Sequence, residues 1–324
     1  MNIVASIHLY HPNHNCGAEA MMHQVLKSLQ EKGHNVRVLL NQANHYKITS
    51  NYVFDGVDVF PPNPNVVEGL YNWAHVIFTH LNYTRWSIHM AAMYKKPVVH
   101  FIHNTHLYPE IADAEKTQYV VYNSQWAKDK LNYKWDNMIM TPPVDWRHYD
   151  TKVNTMKSQY VTLINVNENK GGKIFTEIAR AMPHKQFIGV LGSYDEQVTS
   201  NLPNLKYVAN SVDILDVYKQ TRTLLMPSEY ESWGRTATEA MCSGIPVISS
   251  QAEGLKENCG NAGIYIKNRN DVKEWVEAIA KLDDEKAYFT ASKKAKARSR
   301  EHDPRETLDK FELWLKEKVY SYKH

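Results

Sequence analysis

Long hydrophobic runs are missing from this 324-residue chain. No segment approaches the roughly eighteen consecutive apolar residues that a membrane-crossing helix requires, so no transmembrane helix is expected. Cysteine is scarce: Cys16, Cys242 and Cys259 are odd in number and lack the paired spacing of a metal site or a disulfide framework. Reduced thiols in a cytoplasmic compartment are the expectation. Neither sign of charge dominates. With 38 Lys and Arg against 35 Asp and Glu, the net +3 is too small to argue for nucleic acid or anionic lipid. Asp-x-Asp, a common divalent-metal motif, does not occur. Met1–Ala5 enters a predicted strand directly, without the charged and apolar regions of a secretory leader, so none is expected. Internal repeats and low-complexity tracts are also absent.

What is present is a regular alternation of strands and helices, which argues for parallel sheets covered on both faces. The first strand is predicted at Ile3–Leu9, followed by a loop, Tyr10–Gly17, and a helix over 18–32 that Gly33 stops. Further strands are predicted at Val36–Leu40, Val76–Thr79, Val98–Ile102, Tyr119–Tyr122 and Met138–Met140. Thr141-Pro142-Pro143-Val144-Asp145 cannot be helical, because each proline restrains itself and its predecessor. A domain boundary is placed there. The pattern restarts with a strand at Tyr160–Asn165 and a helix over Gly171–Met182. Three helical stretches close the chain, starting near Asp271, Asp284 and Asp303. The last carries Leu308, Phe311, Leu315 and Val319 on one stripe. The run Lys293–Arg300 reads as a solvated helix face.

The loop Tyr10–Glu19 joins a strand to a helix N-terminus with the single glycine Gly17. The G-x-G-x-x-G dinucleotide fingerprint is therefore missing, and a dehydrogenase is disfavoured. One glycine at a helix start still lets backbone approach a phosphate closely.

The most informative segment runs from Pro227 to Ile248. It reads as a buried strand ending at Met226, a tight loop holding Glu231, a helix opening near Arg235, and a second buried strand after Gly244-Ile245-Pro246. Trp233-Gly234-Arg235-Thr236 offers backbone N–H groups at the helix N-terminus, where unpaired donors and the macrodipole favour an anion. Glu231 and Glu239, eight residues apart, flank that position and can accept hydroxyl hydrogen bonds. A diphosphate between two hydroxyl acceptors is the chemistry of a nucleotide-sugar.

These residues resemble the E-x(7)-E region of the family 4 retaining glycosyltransferases, whose fold, called GT-B, is α/β: two Rossmann-like domains with parallel sheets facing across a cleft. The likeness covers nearly the whole chain, strongly over residues 160–266 and loosely over the first 150. It implies an N-terminal acceptor-binding domain over 1–145, a nucleotide-sugar-binding domain over 146–302, and a C-terminal helix, 303–324, crossing back to the first domain. It implies that Glu231 contacts the donor sugar. Ser232 and the stretch Trp233 to Thr236, including Gly234 and Arg235, then hold the diphosphate, and Glu239 holds the ribose. Gly17 then faces the diphosphate from the other domain.

Lys170, in Asn165-Val166-Asn167-Glu168-Asn169-Lys170-Gly171-Gly172, matches the family's diphosphate-binding lysine. Asn165 stands where the family usually has Arg, which puts the usual pair of cations in doubt; Arg235 or Lys173 is the expected compensation. Thirteen of the sixteen histidines precede Asp150. His103, in Val98-Val99-His100-Phe101-Ile102-His103, matches a family histidine that touches the donor sugar. The spacing of His100 and His103 invites a zinc reading, but no carboxylate or cysteine stands in register with them, so no metal is expected.

The expected activity is retaining, metal-independent transfer, by an enzyme, of a hexose or pentose from a UDP- or other NDP-sugar to a hydroxyl acceptor, with no cofactor. Lys170, Glu231 and His103 are the catalytic candidates. The acceptor stays open among a glycan, a lipid-linked glycan and, for a phage-type member, a hydroxymethylated pyrimidine in DNA. A nucleotide-sugar 2-epimerase and an inactive sugar-nucleotide-binding module are the rivals. The expected location is cytoplasmic (host cytoplasm for a phage protein), with peripheral membrane contact left open.

Overall fold

The computed structural model describes residues 1–106 and 119–322. These form two compact units, Met1–Pro143 with Pro304–His324, and Val144–Asp303. The second unit thus begins two residues before the expected boundary, immediately after Pro143.

The first unit contains strands β1 (Asn2–Ile7), β2 (Asn35–Leu40), β3 (Tyr52–Phe54), β4 (Val57–Phe60), β5 (Val76–His80), β6 (Val98–Ile102), β7 (Tyr119–Tyr122) and β8 (Asp136–Ile139). Between them lie helices α1 (Gly17–Glu31), α2 (Pro64–Trp73), α3 (Thr84–Met93) and α4 (Gln125–Leu131). The strands make one sheet in the order β3-β4-β2-β1-β5-β6-β7-β8. Every pairing is parallel except β3 with β4. That antiparallel edge hairpin turns at Asp55-Gly56, both with positive φ, as a two-residue hairpin turn demands. Sequence reading did not include the hairpin or α2, although Asn63 caps α2 through a bond from the Val66 N–H and Pro64 opens it.

Parallel strands buried on both faces should be apolar throughout. Ile3, Val4, Ala5 and Ile7 of β1 are fully buried accordingly. One face packs against Met21, Met22, Val25, Leu26 and Leu29 of α1; the other meets Leu70 and Tyr71 of α2 and Ile88 and Ala91 of α3.

The second unit holds α5 (Trp146–Tyr149), β9 (Tyr160–Ile164), α6 (Gly172–Ala181), β10 (Gln186–Val190), β11 (Leu205–Val208), α7 (Leu215–Gln220) and β12 (Thr221–Met226). It continues with α8 (Arg235–Cys242), β13 (Val247–Ser249), α9 (Glu253–Cys259), β14 (Ile264–Tyr265), α10 (Val272–Lys281) and α11 (Glu285–Glu301). Its sheet, entirely parallel, runs β11-β10-β9-β12-β13-β14. Asp271 and Asp284 cap α10 and α11 by accepting bonds from the Lys273 and Ala287 N–H groups. The last helix, α12 (Arg305–Ser321), belongs to the first unit, where the Phe311 ring lies 5.9 Å from Phe78 and 5.8 Å from Phe101. Truncating a buried phenylalanine of this kind costs roughly 3–5 kcal/mol.

Strand order reverses between β1 and β5 in one sheet and between β9 and β12 in the other. Ligands of open α/β sheets bind at such reversals, beyond the carboxyl ends of the strands. The loops there are Tyr10–Cys16 in the first unit, and Asn165–Gly171 with Pro227–Gly234 in the second. None of the three cysteines forms a disulfide, and among the described residues no helix is long and apolar enough to cross a membrane.

Candidate functional site

In the second unit, β9 ends at Ile164 and the chain turns at Asn165, whose φ of 66° lies in the left-handed region. Asparagine visits that region far more readily than long side chains do, because its short amide can bond locally. Here Asn165 Oδ1 accepts from the Asn167 N–H at 3.2 Å. The local backbone thus gives a reason for Asn where the resembled family usually has Arg. Gly171, at φ 90°, closes the loop; a Cβ there would fall 2.6 Å from Pro227 Cγ and 2.7 Å from the Pro227 carbonyl oxygen. The two loops therefore touch backbone to backbone, and the Glu229 N–H donates to the Asn169 carbonyl at 3.0 Å.

That contact brings Lys170 to Glu231. The ammonium pairs directly with Glu231 Oε1, which also accepts from Ser228 Oγ at 3.0 Å. Glu231 is 8% exposed, and the ammonium beside it offsets the cost of desolvating a carboxylate there.

The loop then reaches Gly234, whose φ of 81° begins α8 and whose missing Cβ leaves room for Leu255, 2.4 Å from where that atom would stand. Asn258 of α9 fixes this turn. Its amide donates to the carbonyls of Trp233 and Gly234, both at 3.0 Å, and its Oδ1 accepts from Thr238 Oγ1 at 3.0 Å. Trp233 is buried and its indole N–H donates to Thr238 Oγ1 at 3.3 Å. Ser232 and Thr236 lie on either side of the turn, so the sequence-predicted anion cradle is one continuous, well-braced strand–loop–helix.

Glu239, one turn into α8, is buried. Oε1 accepts from Arg235 Nε at 2.7 Å and Oε2 from the Tyr218 hydroxyl at 2.8 Å. Arg235 in turn donates to the Tyr149 hydroxyl at 3.2 Å. Burial, and then the charge of Glu239, push the Tyr149 hydroxyl up to about 12 and Tyr218 higher still, so both stay protonated donors. A carboxylate has about four lone-pair sites, and Arg235, Tyr218 and Tyr149 all engage those of Glu239. Of the two residues expected to compensate for the missing family arginine, Arg235 is engaged by Glu239 and Tyr149 and Lys173 by exposed Glu168. Lys170 reaches the same loops, paired with Glu231. Tyr149, Tyr218 and Asn258 were missed by sequence reading; no local pattern marks a tyrosine from α5 or α7 as the neighbour of a glutamate on α8.

In the first unit, Gly17 begins α1 with an ordinary φ, and a Cβ built there meets no protein atom within 4 Å. Neither backbone nor packing requires glycine. His103 follows β6, with its Nε2 3.1 Å from His80 Nδ1. Burial, with His8 nearby, lowers its pKa to about 3, so the ring is neutral at physiological pH. His100, inside β6, is wholly buried, and burial, with His103 nearby, lowers it to about 3. Glu19, from α1, lies near His8 and His80, and burial pushes it up to about 8. This histidine–carboxylate group is assembled from three elements, and the spacing of His100 and His103 gave no hint of it.

Residues 197–301 match the family described as glycosyl transferases group 1. A D-inositol 3-phosphate glycosyltransferase of Corynebacterium kroppenstedtii is 35% identical over 75 residues, 22% of this chain and 16% of the relative. The N,N'-diacetylbacillosaminyl-diphospho-undecaprenol alpha-1,3-N-acetylgalactosaminyltransferase of Campylobacter jejuni is 26% identical over 145 residues, 42% of this chain and 38% of the relative. The chain thus spans well under half the length of the curated relatives it matches. HepE of Anabaena, solved in complex with UDP-glucose, superposes with a TM-score of 0.74 at 17% identity, covering 96% of this chain and 97% of that one. This likeness shows that the fold is the GT-B fold of glycosyltransferases.

Proposed function

We propose that this chain is a glycosyltransferase that moves a sugar from a nucleotide-sugar donor to a hydroxyl acceptor with retention of anomeric configuration. The observation that carries the reading is the second unit's braced helix N-terminus with Glu231 and Glu239 on either side and Lys170 paired to Glu231. The group 1 match over 197–301 and the UDP-glucose bound by HepE support the same donor class. Ser232 to Thr236, through α8 N–H groups, and Lys170 would hold the diphosphate. Glu239 would accept the ribose hydroxyls, and Glu231 those of the sugar. Asn165 would add a neutral hydrogen bond to phosphate. From the first unit the reading takes Gly17, whose open space suits a phosphate, and neutral His103 as a sugar contact.

Double displacement would need a carboxylate nucleophile behind the anomeric carbon, and the reading assigns none. In the front-face route the bond from the anomeric carbon to the leaving phosphate oxygen breaks as the acceptor oxygen bonds on the same side. The acceptor's proton passes to that phosphate oxygen, and Lys170 with the α8 N-terminus stabilises the departing charge. No divalent ion is required at the diphosphate.

A glycan or lipid-linked glycan is the proposed acceptor class, in keeping with the undecaprenol-linked acceptor named for the Campylobacter relative. The first 150 residues carry Lys plus Arg (12) equal to Asp plus Glu (12), which gives DNA no electrostatic advantage. The test is a panel of nucleotide-sugars with glycan, lipid-linked and hydroxymethylated-DNA acceptors, with the product's anomeric proton read by NMR. An α-linked donor should give an α-linked product, and His103→Ala should lower turnover about 10- to 1000-fold. An inverted product would refute the mechanism.

A further inference from the structure

The proposed transfer leaves a buried set of donors in the first unit without a role. His8 follows β1, His80 ends β5 and Glu19 lies in the first turn of α1, so three elements meet where the strand order reverses. The side chains of His8, Glu19 and His80 are 7%, 1% and 0% exposed. Glu19 Oε1 lies 3.4 Å from His8 Nε2 and 3.7 Å from His80 Nε2. Both distances exceed those of good hydrogen bonds. The first matches the edge of a coordination tetrahedron and the second falls just outside it, because ligand atoms held about 2.0–2.2 Å from one ion stand roughly 3.3–3.6 Å apart.

Among the described residues, neither oxygen of Glu19 has a hydrogen-bond partner, and neither does His80 Nε2. A carboxylate buried in that condition is costly, and at these distances neither imidazole nitrogen offsets the cost with a good hydrogen bond. The remaining nitrogen of His80, Nδ1, engages His103 at 3.1 Å, as the outer nitrogen of a metal-bound histidine commonly engages a neighbour. On the loop side, donor atoms of His14 and Cys16 lie within 4.8 Å of Glu19 and of each other.

We propose that His8, Glu19 and His80 bind one divalent transition-metal ion of the zinc class, with the fourth coordination position facing His14 and Cys16. Two imidazoles and one carboxylate suit zinc better than magnesium, which prefers an all-oxygen shell with retained waters. The ion is a resident of the first unit and takes no part at the diphosphate. Its consequence is positional: with Nε2 bound to metal, His80 must carry its proton on Nδ1 and donate to His103, which fixes that ring's tautomer.

The full chain, dialysed against metal-free buffer, should take up one equivalent of zinc by mass spectrometric metal analysis. It should also take up cobalt(II) with tetrahedral visible absorption that zinc abolishes. Zinc should raise its melting temperature. Glu19→Gln and His80→Gln should each weaken cobalt binding by more than the 10- to 100-fold typical of losing an outer partner, with circular dichroism confirming a folded chain. A wild-type chain that binds no zinc and gives no cobalt spectrum contains a buried neutral acid and no metal site, which overturns the proposal without any variant. Folded variants that bind cobalt as tightly as wild type overturn it as well.

Discussion

Replacing Glu239 by alanine should do more to this chain than remove the proposed ribose contact. The carboxylate is buried and accepts from Arg235 Nε at 2.7 Å and the Tyr218 hydroxyl at 2.8 Å. Its removal strands a buried guanidinium and a buried phenol. Breaking one side of a buried ion pair typically costs 3–5 kcal/mol. Arg235 keeps its bond to Tyr149, so the lower end, about 3 kcal/mol, is the expectation. At roughly 2–4 °C per kcal/mol for a domain of this size, the melting temperature should fall by about 6–12 °C. Binding of the nucleoside diphosphate should weaken by a further 1–3 kcal/mol or so, the cost of unpaired hydroxyls. Thermal unfolding followed by circular dichroism reads the first quantity and calorimetry with UDP the second. A double variant, Arg235→Met with Glu239→Leu, removes both charges and should melt above either single variant, because no buried charge is left stranded even though Tyr218 still loses its acceptor. The reasoning fails if Glu239→Ala melts with the wild type, or if the double variant is less stable than both singles.

Three further outcomes are expected. Glu231→Ala should lower turnover while leaving the affinity for free diphosphate nearly intact, since the side chain is assigned to the sugar; an equal loss of both in calorimetry and rate assays would move it to the diphosphate. Transfer should persist when magnesium and manganese are omitted, and dependence restored by either ion but not by zinc would count against Lys170 and the α8 N–H groups as sufficient. Burial opposes the charge of Asp150, yet Lys152 and Lys296 outweigh it and hold the carboxyl below its ordinary range. Its stabilising effect is therefore complete above its unfolded pKa of about 3.9 and lost as pH falls through the lower folded value. Asp150→Asn should blunt that acid loss in urea unfolding across pH, and superimposable acid profiles would exclude the effect.

The strand–loop–helix from Thr221 to Cys242 was legible because it is local: a buried apolar strand, a glycine in the left-handed region and a helix start occur within about twenty residues. The helix starts near Asp271 and Asp284 were legible for the same reason, and both residues prove to be caps. The edge hairpin carried a recognisable Asp55-Gly56 turn but only short flanking strands, and it went unread. His8, Glu19 and His80 could not have been read together. Nothing in their spacing links the ends of two strands to the first turn of a helix; only the sheet order brings β1 beside β5. Tyr218 and Tyr149 escaped likewise, being ordinary aromatic residues until tertiary packing sets them against α8.

The brace supplied by Asn258 has a thermodynamic consequence. A loop that must be frozen by its ligand loses conformational freedom at the moment of association, at about 0.5–1.5 kcal/mol for each rotamer-rich side chain immobilised. With the Trp233 and Gly234 carbonyls already tied to α9, that ordering is completed during folding instead. Even a bare nucleoside diphosphate should then meet a rigid receptor, and its heat of binding should carry little signature of coupled folding.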